Sequence, residues 1–317
     1  MKSNKLIYTL ALIVLSGTLA FTGCKKLKEF KNETGQDSAD NRTAVGESDN
    51  AIADANNVAS NNSSIHGRVG QIDGVLSVCT DYTVDVTKQA QGILTVNYNG
   101  TSCLNRTRSG SIRLTLQNYP AYKWKDVNAV LQVDYINYKV TRTSDGKSVE
   151  LNGTELVTNV SGNTWFELIF QGQPNLVHTV TGSNLNVTFD GDKTAVYNIN
   201  RKFTYTWSSP YLSCYGEGTG ISNNRTNLEN YGTTRNGDNF TSQVTTPFIW
   251  TTACGAHAPT QGAVDIKVDS KAFDLKCTFG VDANGNGMSV PLGSCAYGMK
   301  AEWTYKKKTN HKVFSYY

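Results

Sequence analysis

The sequence predicts an all-β protein, an antiparallel meander of many short strands that forms a curled sheet, a sandwich or a half-barrel. Three observations lead to this prediction. Apolar and polar residues alternate with the period of two that half-buried strands show. Asn-Gly and Asp-Gly pairs, which suit tight hairpin turns, separate these runs. The chain shows neither long apolar windows of helical period nor the strand–helix alternation of a parallel sheet.

The clearest alternation lies within residues 195–207, where Tyr197, Ile199 and Phe203 share one face. The same pattern predicts strands at residues 75–86, 92–98, 111–117, 129–141, 149–160, 165–170, 176–181, 185–189, 239–245, 263–268, 273–281 and 300–306. A short echo, Thr-Arg-Ser-Gly at 107–110 and Thr-Arg-Asn-Gly at 234–237, suggests two related halves.

The amino end has the layout of a secretory signal peptide, with a short basic region before the apolar run 6–21. This run is shorter than the roughly 20 residues that a spanning helix needs. Phe21-Thr22-Gly23-Cys24 resembles the lipobox of bacterial lipoproteins. The resemblance implies removal of residues 1–23 and attachment of acyl chains such as palmitate to Cys24. The alternative is an ordinary signal peptide with an incidental cysteine.

Position 25 is lysine rather than the aspartate associated with inner-membrane retention in enteric bacteria. We therefore expect an outer-membrane lipoprotein, on either the periplasmic or the cell-surface face. The four lysines between residues 25 and 31 suit contact with anionic headgroups, but we favour the alternative, the start of a solvated linker.

Residues 32–64 contain no aromatic residue and are rich in Asn, Asp, Ser and Ala. Such a composition is typical of segments that do not fold. We therefore predict that residues 24–64 are a lipidated cysteine and a flexible linker, and that residues 65–317 are the all-β domain. Asp37-Ser38-Ala39 resembles a short motif for O-linked glycans in Bacteroidota, which makes Ser38 a candidate O-glycosylation site.

Net charge is +4, and it falls to +2 when Lys2 and Lys5 leave with the signal peptide. This balance argues against nucleic acid as a partner, because such proteins present a clustered basic face. We expect no cofactor and no metal. Asp282–Gly287 resembles the start of an EF-hand loop, but Gly293 stands where the bidentate glutamate belongs, and a hairpin turn explains the residues.

The sequence shows no nucleophile elbow and no phosphate-binding loop. We therefore name no catalytic residue. A glycosidase would need two carboxylates facing one cleft. Several acidic residues would serve in principle: Asp134, Glu150, Glu155, Glu167 and Glu217.

Six cysteines remain besides Cys24, an even number that suggests disulfides in an exported protein. Our preferred bridges are Cys79–Cys103, Cys254–Cys295 and Cys214–Cys277. If their strands pair as a hairpin, Cys277 and Cys295 would also lie close together. The alternative to disulfides is that several of the six are free buried thiols, which behave as small apolar residues.

The chain has five tryptophans and sixteen tyrosines, enough to supply flat stacking platforms for sugars. The best candidate contact is the segment 119–126, where Tyr119, Tyr122 and Trp124 alternate with lysines around a proline. The alternative is that aromatics at strand period belong to the core.

Four segments resemble, in this order, a group of uncharacterised lipoproteins of Bacteroidota. They begin with "VLSVCTDYTVDV" and "NYNGTSCLNRTRSGSIRLTL", and they end with the Thr-x-Arg-Asn-Gly element and "LGSCAYGMKAEWTYKK". The group's Cys-x-x-Arg-Thr-Arg-x-Gly element falls on Cys103–Gly110, whereas Cys214 and Cys277 lie outside the pattern. The resemblance implies fold and location but no activity.

Together these features favour a lipid-anchored envelope protein with a non-enzymatic binding or structural role, with a glycan or another envelope component as partner, or a role in adhesion. The alternatives are an envelope glycosidase or other hydrolase, and a lipid-binding platform. A cleft with two carboxylates would favour the hydrolase. A deep apolar groove would favour lipid, and a row of exposed aromatics would favour glycan.

Overall fold

The computed structural model describes residues 36–66, 79, 81–103, 105–254, 258–270, 274–305 and 308–316. It confirms the all-β class, since the described chain is dominated by one antiparallel sheet. The strands are β1 (Tyr82–Asp85), β2 (Ile93–Cys103), β3 (Arg106–Leu116), β4 (Ala129–Arg142), β5 (Ser148–Asn159), β6 (Leu176–Phe189), β7 (Lys193–Ser208), β8 (Tyr211–Gly218), β9 (Gly220–Ser222), β10 (Arg225–Thr233), β11 (Asn239–Thr251), β12 (Gln261–Val268), β13 (Asp274–Val281), β14 (Gly298–Tyr305) and β15 (Lys308–Ser315). The helices are α1 (36–61), α2 (Ser63–His66), α3 (Trp165–Phe170) and a 3-10 turn at Gln89–Gln91.

The order of strands in the sheet follows the order in the chain, as the prediction of a meander requires. Strands β1 to β7 pair in sequence, and β10 to β15 do the same. β8 and β10 both lie between β7 and β11: Cys214 of β8 faces Tyr205 and Trp250, and Asn230 of β10 faces Ile199 and Ser242. One continuous sheet therefore carries both of the suggested halves.

A line of register shifts crosses the sheet from β3 to β7 and bends it. The shifts lie at residues 109–111, 135–138, 152–155 and 182–185. Gly110 occupies the first with φ of 83°, and a Cβ there would stand 2.0 Å from the carbonyl oxygen of Asn137. Because β-bulges add local twist and bend, this line curls the sheet.

Helix α1 lies inside the curl and is the centre of the core. β3, β5, β7, β11 and β13 each place a side chain against it. Within α1 only Thr43 is exposed, and small residues such as Ala51 and Ala55 let the strands approach closely.

The position of α1 corrects two predictions. The flexible linker predicted at 24–64 is wrong for its described part, 36–64, which is mostly helical and buried. The domain predicted at 65–317 begins instead at least as early as residue 36. Cys24 and the predicted signal peptide lie outside the described residues.

Residues 165–170, predicted as a strand, form α3. The physical reason is a capping box: the Thr164 backbone N–H donates to the carboxylate of Glu167 at 2.9 Å. The sequence Thr-x-x-Glu carries this signal. The separate strands predicted at 176–181 and 185–189 are one bulged strand, β6, and the alternation pattern missed β8, β9, β10 and β15.

Two of the three preferred disulfides are confirmed, Cys79–Cys103 and Cys254–Cys295, with Cα atoms 5.9 and 5.6 Å apart. The third is wrong, because Cys214 and Cys277 are free thiols. β11 and β12 separate their strands, a spacing of about 14 Å at roughly 4.8 Å per strand. A disulfide cannot span that distance.

A proline in α1 distinguishes a buried helix from a linker. Ala51→Pro should lower the free energy of unfolding by about 3 kcal/mol or more, since it removes a helical hydrogen bond and clashes with the preceding turn. Urea denaturation followed by circular dichroism measures the change. The control is Thr43→Ala at the exposed position, which should leave the midpoint nearly unchanged. Equal midpoints for Ala51→Pro and the parent protein would contradict the helix.

Candidate functional site

The predicted glycan contacts do not form a row of exposed aromatics. Trp124 is 1% exposed, so its predicted exposure is wrong. The reason is that its segment folds over α2: the backbone N–H of Trp124 donates to the backbone carbonyl of Ile65 at 2.9 Å. Tyr119 is half-buried, with the Lys123 ammonium 4.3 Å from its ring centre. Only Tyr122 of the three is well exposed, at 42%.

Ser38 is unsuited to O-glycosylation in the folded protein. Its side chain is buried in α1, and its Oγ lies 3.2 Å from the Cys277 Sγ. A glycan would have to occupy the core between α1 and β13. Burial also raises the pKa of the Cys277 thiol to about 12, which keeps this cysteine in its unreactive protonated form at neutral pH.

Acidic residues of α1 pair with arginines that the sheet supplies at successive heights. Asp40 accepts a hydrogen bond from the Arg235 Nη2 at 2.7 Å. Glu47 accepts from Arg106 at 2.9 Å, and further along Asp54 accepts from Arg108 at 2.6 Å. The two arginines of the Thr-Arg echo, at positions 108 and 235, thus both bind acids of α1.

The middle of α1 holds a denser charged cluster around Arg201. The Arg201 guanidinium is hydrogen-bonded to Asp49, and its Nη2 donates to the Ser48 Oγ at 2.9 Å. Ser48 in turn donates to the carboxylate of Glu155 at 2.9 Å. Glu229, also buried, accepts from Ser242 at 2.8 Å.

Carboxyls outnumber arginines in this cluster. Asp49, Glu155 and Glu229 are all buried and interact with Arg201, and Arg42 acts on two of the three. Burial raises the pKa of all three carboxyls, since desolvation outweighs the attraction of the guanidinium groups. The cluster is closed to solvent, because all three carboxyls are buried, and it joins α1 to the sheet.

The other acidic residues considered for a hydrolase have structural partners. Asp134 accepts from Arg113 and from the Thr154 hydroxyl, and Glu150 accepts from the Asn152 amide at 2.9 Å. Glu167 caps α3, and Glu217 pairs with Lys202. Glu155 belongs to the buried cluster. The described residues therefore offer no two of these carboxyls facing an open cleft with their charges free.

The EF-hand-like segment forms a hairpin turn, as the sequence analysis predicts. The Asp282 carboxylate accepts from the backbone N–H groups of Asn284 and Asn286 at 2.8 and 2.9 Å. These hydrogen bonds lower the pKa of Asp282. Among the described residues no group of three or more metal-ligating side chains occurs.

The two ends of the sheet differ in character. At one end, hereafter the tight-turn end, residues 143–147, 190–192 and 234–238 form short polar turns with Asp-Gly or Asn-Gly pairs. The opposite end, hereafter the loop end, carries the longer connections 117–128 and 160–175 and the connection 86–92 between β1 and β2.

Exposed apolar side chains gather in the connections of the loop end, and we call them the loop-end surface. They are Val86, Tyr122, Val127, Val160 and Phe170. The connections adjoin one another: a Cβ on Gly162 would meet the Val127 side chain at 2.9 Å. Loops on a rigid scaffold are common binding sites, and nothing in the alternation of the strands predicts this clustering.

Comparison with protein-family models, with curated proteins and with solved structures gave no match, so the candidate surface rests on the geometry of this chain. None of the helices in the described ranges is both long enough and apolar enough to cross a bilayer.

The buried cluster gives stability an unusual pH dependence. The pKa of Glu155 is raised in the folded protein. The free energy of unfolding that Glu155 contributes is therefore fully present below about pH 4.3, the pKa of a glutamate in the unfolded chain. This contribution is lost as the pH rises through the pKa of Glu155 in the folded protein. Glu155→Gln cannot titrate, so its free energy of unfolding, relative to the parent protein, should increase between pH 5 and pH 8. Urea titrations across that range measure the difference.

The control for this measurement is Asp145→Asn. Asp145 is exposed, and its pKa is lowered by Arg142, so its contribution changes only below about pH 4. Its curve should run parallel to that of the parent protein from pH 5 to pH 8. A parallel curve for Glu155→Gln as well would contradict a raised pKa at Glu155.

Proposed function

We propose that this protein is a lipid-anchored protein of the cell envelope, attached through Cys24 to the outer membrane, with a non-enzymatic binding or structural role. The observation that carries the non-enzymatic part is the position of α1. A curled sheet commonly places a ligand or substrate on its concave side. Here α1 fills that side, and its acids are bound by arginines of the strands.

The filled interior also weighs against the alternatives. A lipid-binding platform needs an apolar groove, whereas the two cavities described beside α1 are small and are lined by Asp40, Arg235, Glu229 and other polar groups as well as by apolar ones. A glycosidase needs two carboxylates at one cleft, and Glu155 and Glu229 are sealed in the core.

Binding is accordingly proposed for the exterior, at the loop-end surface. Tyr122 offers an exposed ring, and the exposed Lys125 lies three residues further along the same connection. An aromatic ring and a cationic side chain in one connection suit a sugar that carries acidic groups, through stacking and charge. The proposed partner is therefore a glycan of the envelope. If the protein binds no glycan, another envelope component becomes the favoured partner.

Attachment is tested by Cys24→Ala. Acyl chains each add about 0.8 kcal/mol per buried CH₂, so their loss should move the protein from the membrane fraction to the soluble fraction. Fractionation followed by immunoblotting measures the distribution, and mass spectrometry of the parent protein measures the added acyl mass. Cys24→Ala protein that stays in the membrane fraction would count against lipid attachment.

Glycan binding is tested on an array of acidic envelope glycans with the purified protein. Tyr122→Ala should weaken binding by up to about tenfold, because one ring contact contributes about 0.5–1.5 kcal/mol. The matched control is Tyr215→Ala, an exposed tyrosine on β8 outside the loop-end surface, which should bind as the parent protein does. Absence of binding by the parent protein, or equal losses in both variants, would rule out this glycan site.

A further inference from the structure

Helix α1 has a fixed direction relative to the two ends of the sheet. Near its start, Asp40 binds Arg235 in the turn 234–238, and Arg235 also donates to Asp190 in the turn 190–192 at 3.0 Å. Beyond its end, the Asn62 side chain donates to Gln89 at 3.0 Å, and the Lys123 ammonium donates to the Ser64 carbonyl at 2.9 Å. α1 therefore starts at the tight-turn end and leads to the loop end.

The length of chain before α1 limits how the protein can sit on a membrane. The 26 described residues of α1 span about 39 Å at roughly 1.5 Å per residue. From Cys24 to residue 36, the first described residue of α1, the chain can reach at most about 43 Å, and only when fully extended at roughly 3.6 Å per residue. To bring the loop end to the bilayer, this segment would have to run the whole length of α1 outside the sheet.

We propose that the tight-turn end faces the phospholipid bilayer and that the loop-end surface faces away from it. This inference rests on the proposed attachment at Cys24. A flexible linker of residues 24–64 would allow the folded body every orientation relative to the bilayer. Because residues 36–64 are part of the folded body, only residues 24–35 separate the lipid anchor from it. The short tether selects one end without any specific lipid contact.

The charges at the tight-turn end agree with a surface that lies near headgroups without binding them tightly. Arg142 pairs with Asp145, and Arg235 pairs with Asp190. In and beside these turns four positive side chains (Arg142, Lys147, Lys193, Arg235) stand with four negative ones (Asp145, Asp190, Asp192, Asp238), which leaves little attraction for anionic lipid. The apolar side chains of the loop-end surface lie at the far end, so a partner of the envelope space rather than the bilayer is expected to cover them.

The orientation is tested with the full-length lipidated protein on vesicles of phosphatidylethanolamine and phosphatidylglycerol. A donor dye is attached either at Asp192→Cys, in the tight-turn end, or at Phe170→Cys, in the loop end; both positions are well exposed. Energy transfer to a headgroup-labelled lipid should be several-fold higher from position 192. The parent protein, whose Cys277 is buried and whose Cys214 is half-buried, gives the labelling background.

A second variant of each labelled protein carries a long Gly/Ser insertion between Lys31 and Asn32. It should reduce the difference between the two positions, because a longer tether frees the body to rotate. Equal transfer from both positions with the parental tether, or higher transfer from position 170, overturns the orientation while leaving the attachment intact. Loss of both signals with the protein in the supernatant overturns the attachment at Cys24 and the orientation with it.

Discussion

The pairing of Arg201 with Asp49 is the interaction on which the rest of the structure depends. It brings a charged side chain of a central strand and a charged side chain of α1 together where both are buried. Removing either partner would leave an isolated buried charge, a change that typically costs about 3–5 kcal/mol. A helix with this many acids can therefore lie inside the sheet only if the strands supply arginines at matching heights.

The spacing of these pairs fixes where α1 sits along its axis. Asp40, Glu47, Asp49 and Asp54 meet four different arginines. A slip by one helical turn, about 5.4 Å, would separate all four pairs at once. Small apolar residues such as Ala51 and Ala55 allow close packing but do little to fix the position of α1 along its axis, because a shifted helix would present similar small side chains to the sheet. The ion pairs thus specify a single position, a role that buried charges can have even where an apolar core would be as stable.

The sequence predicts the part of this fold that depends on near neighbours. Strand alternation and Asn-Gly or Asp-Gly turns are local signals, and they locate most strands, among them β4, β5, β7, β12 and β13. The Thr164–Glu167 capping box is also local, and it would have identified α3. α1 is different, because four of its acids bind arginines that lie more than 50 residues away in the chain. Composition alone describes such a segment as unfolded, since it shows the charges without the arginines that neutralise them.

The candidate site was harder to predict for the same reason. Whether Trp124 stacks on a sugar or packs over α2 depends on whether a helix lies beneath it, and the composition of the segment before residue 65 predicts a linker there instead. Once α1 occupies the interior, Trp124 and Ser38 become core residues and the acids of the strands become its partners. Surface chemistry is then left to the connections at the ends of the sheet. The polar helix thus has two structural consequences: it fills the concave face of the sheet, and its direction places its first described residues at the tight-turn end.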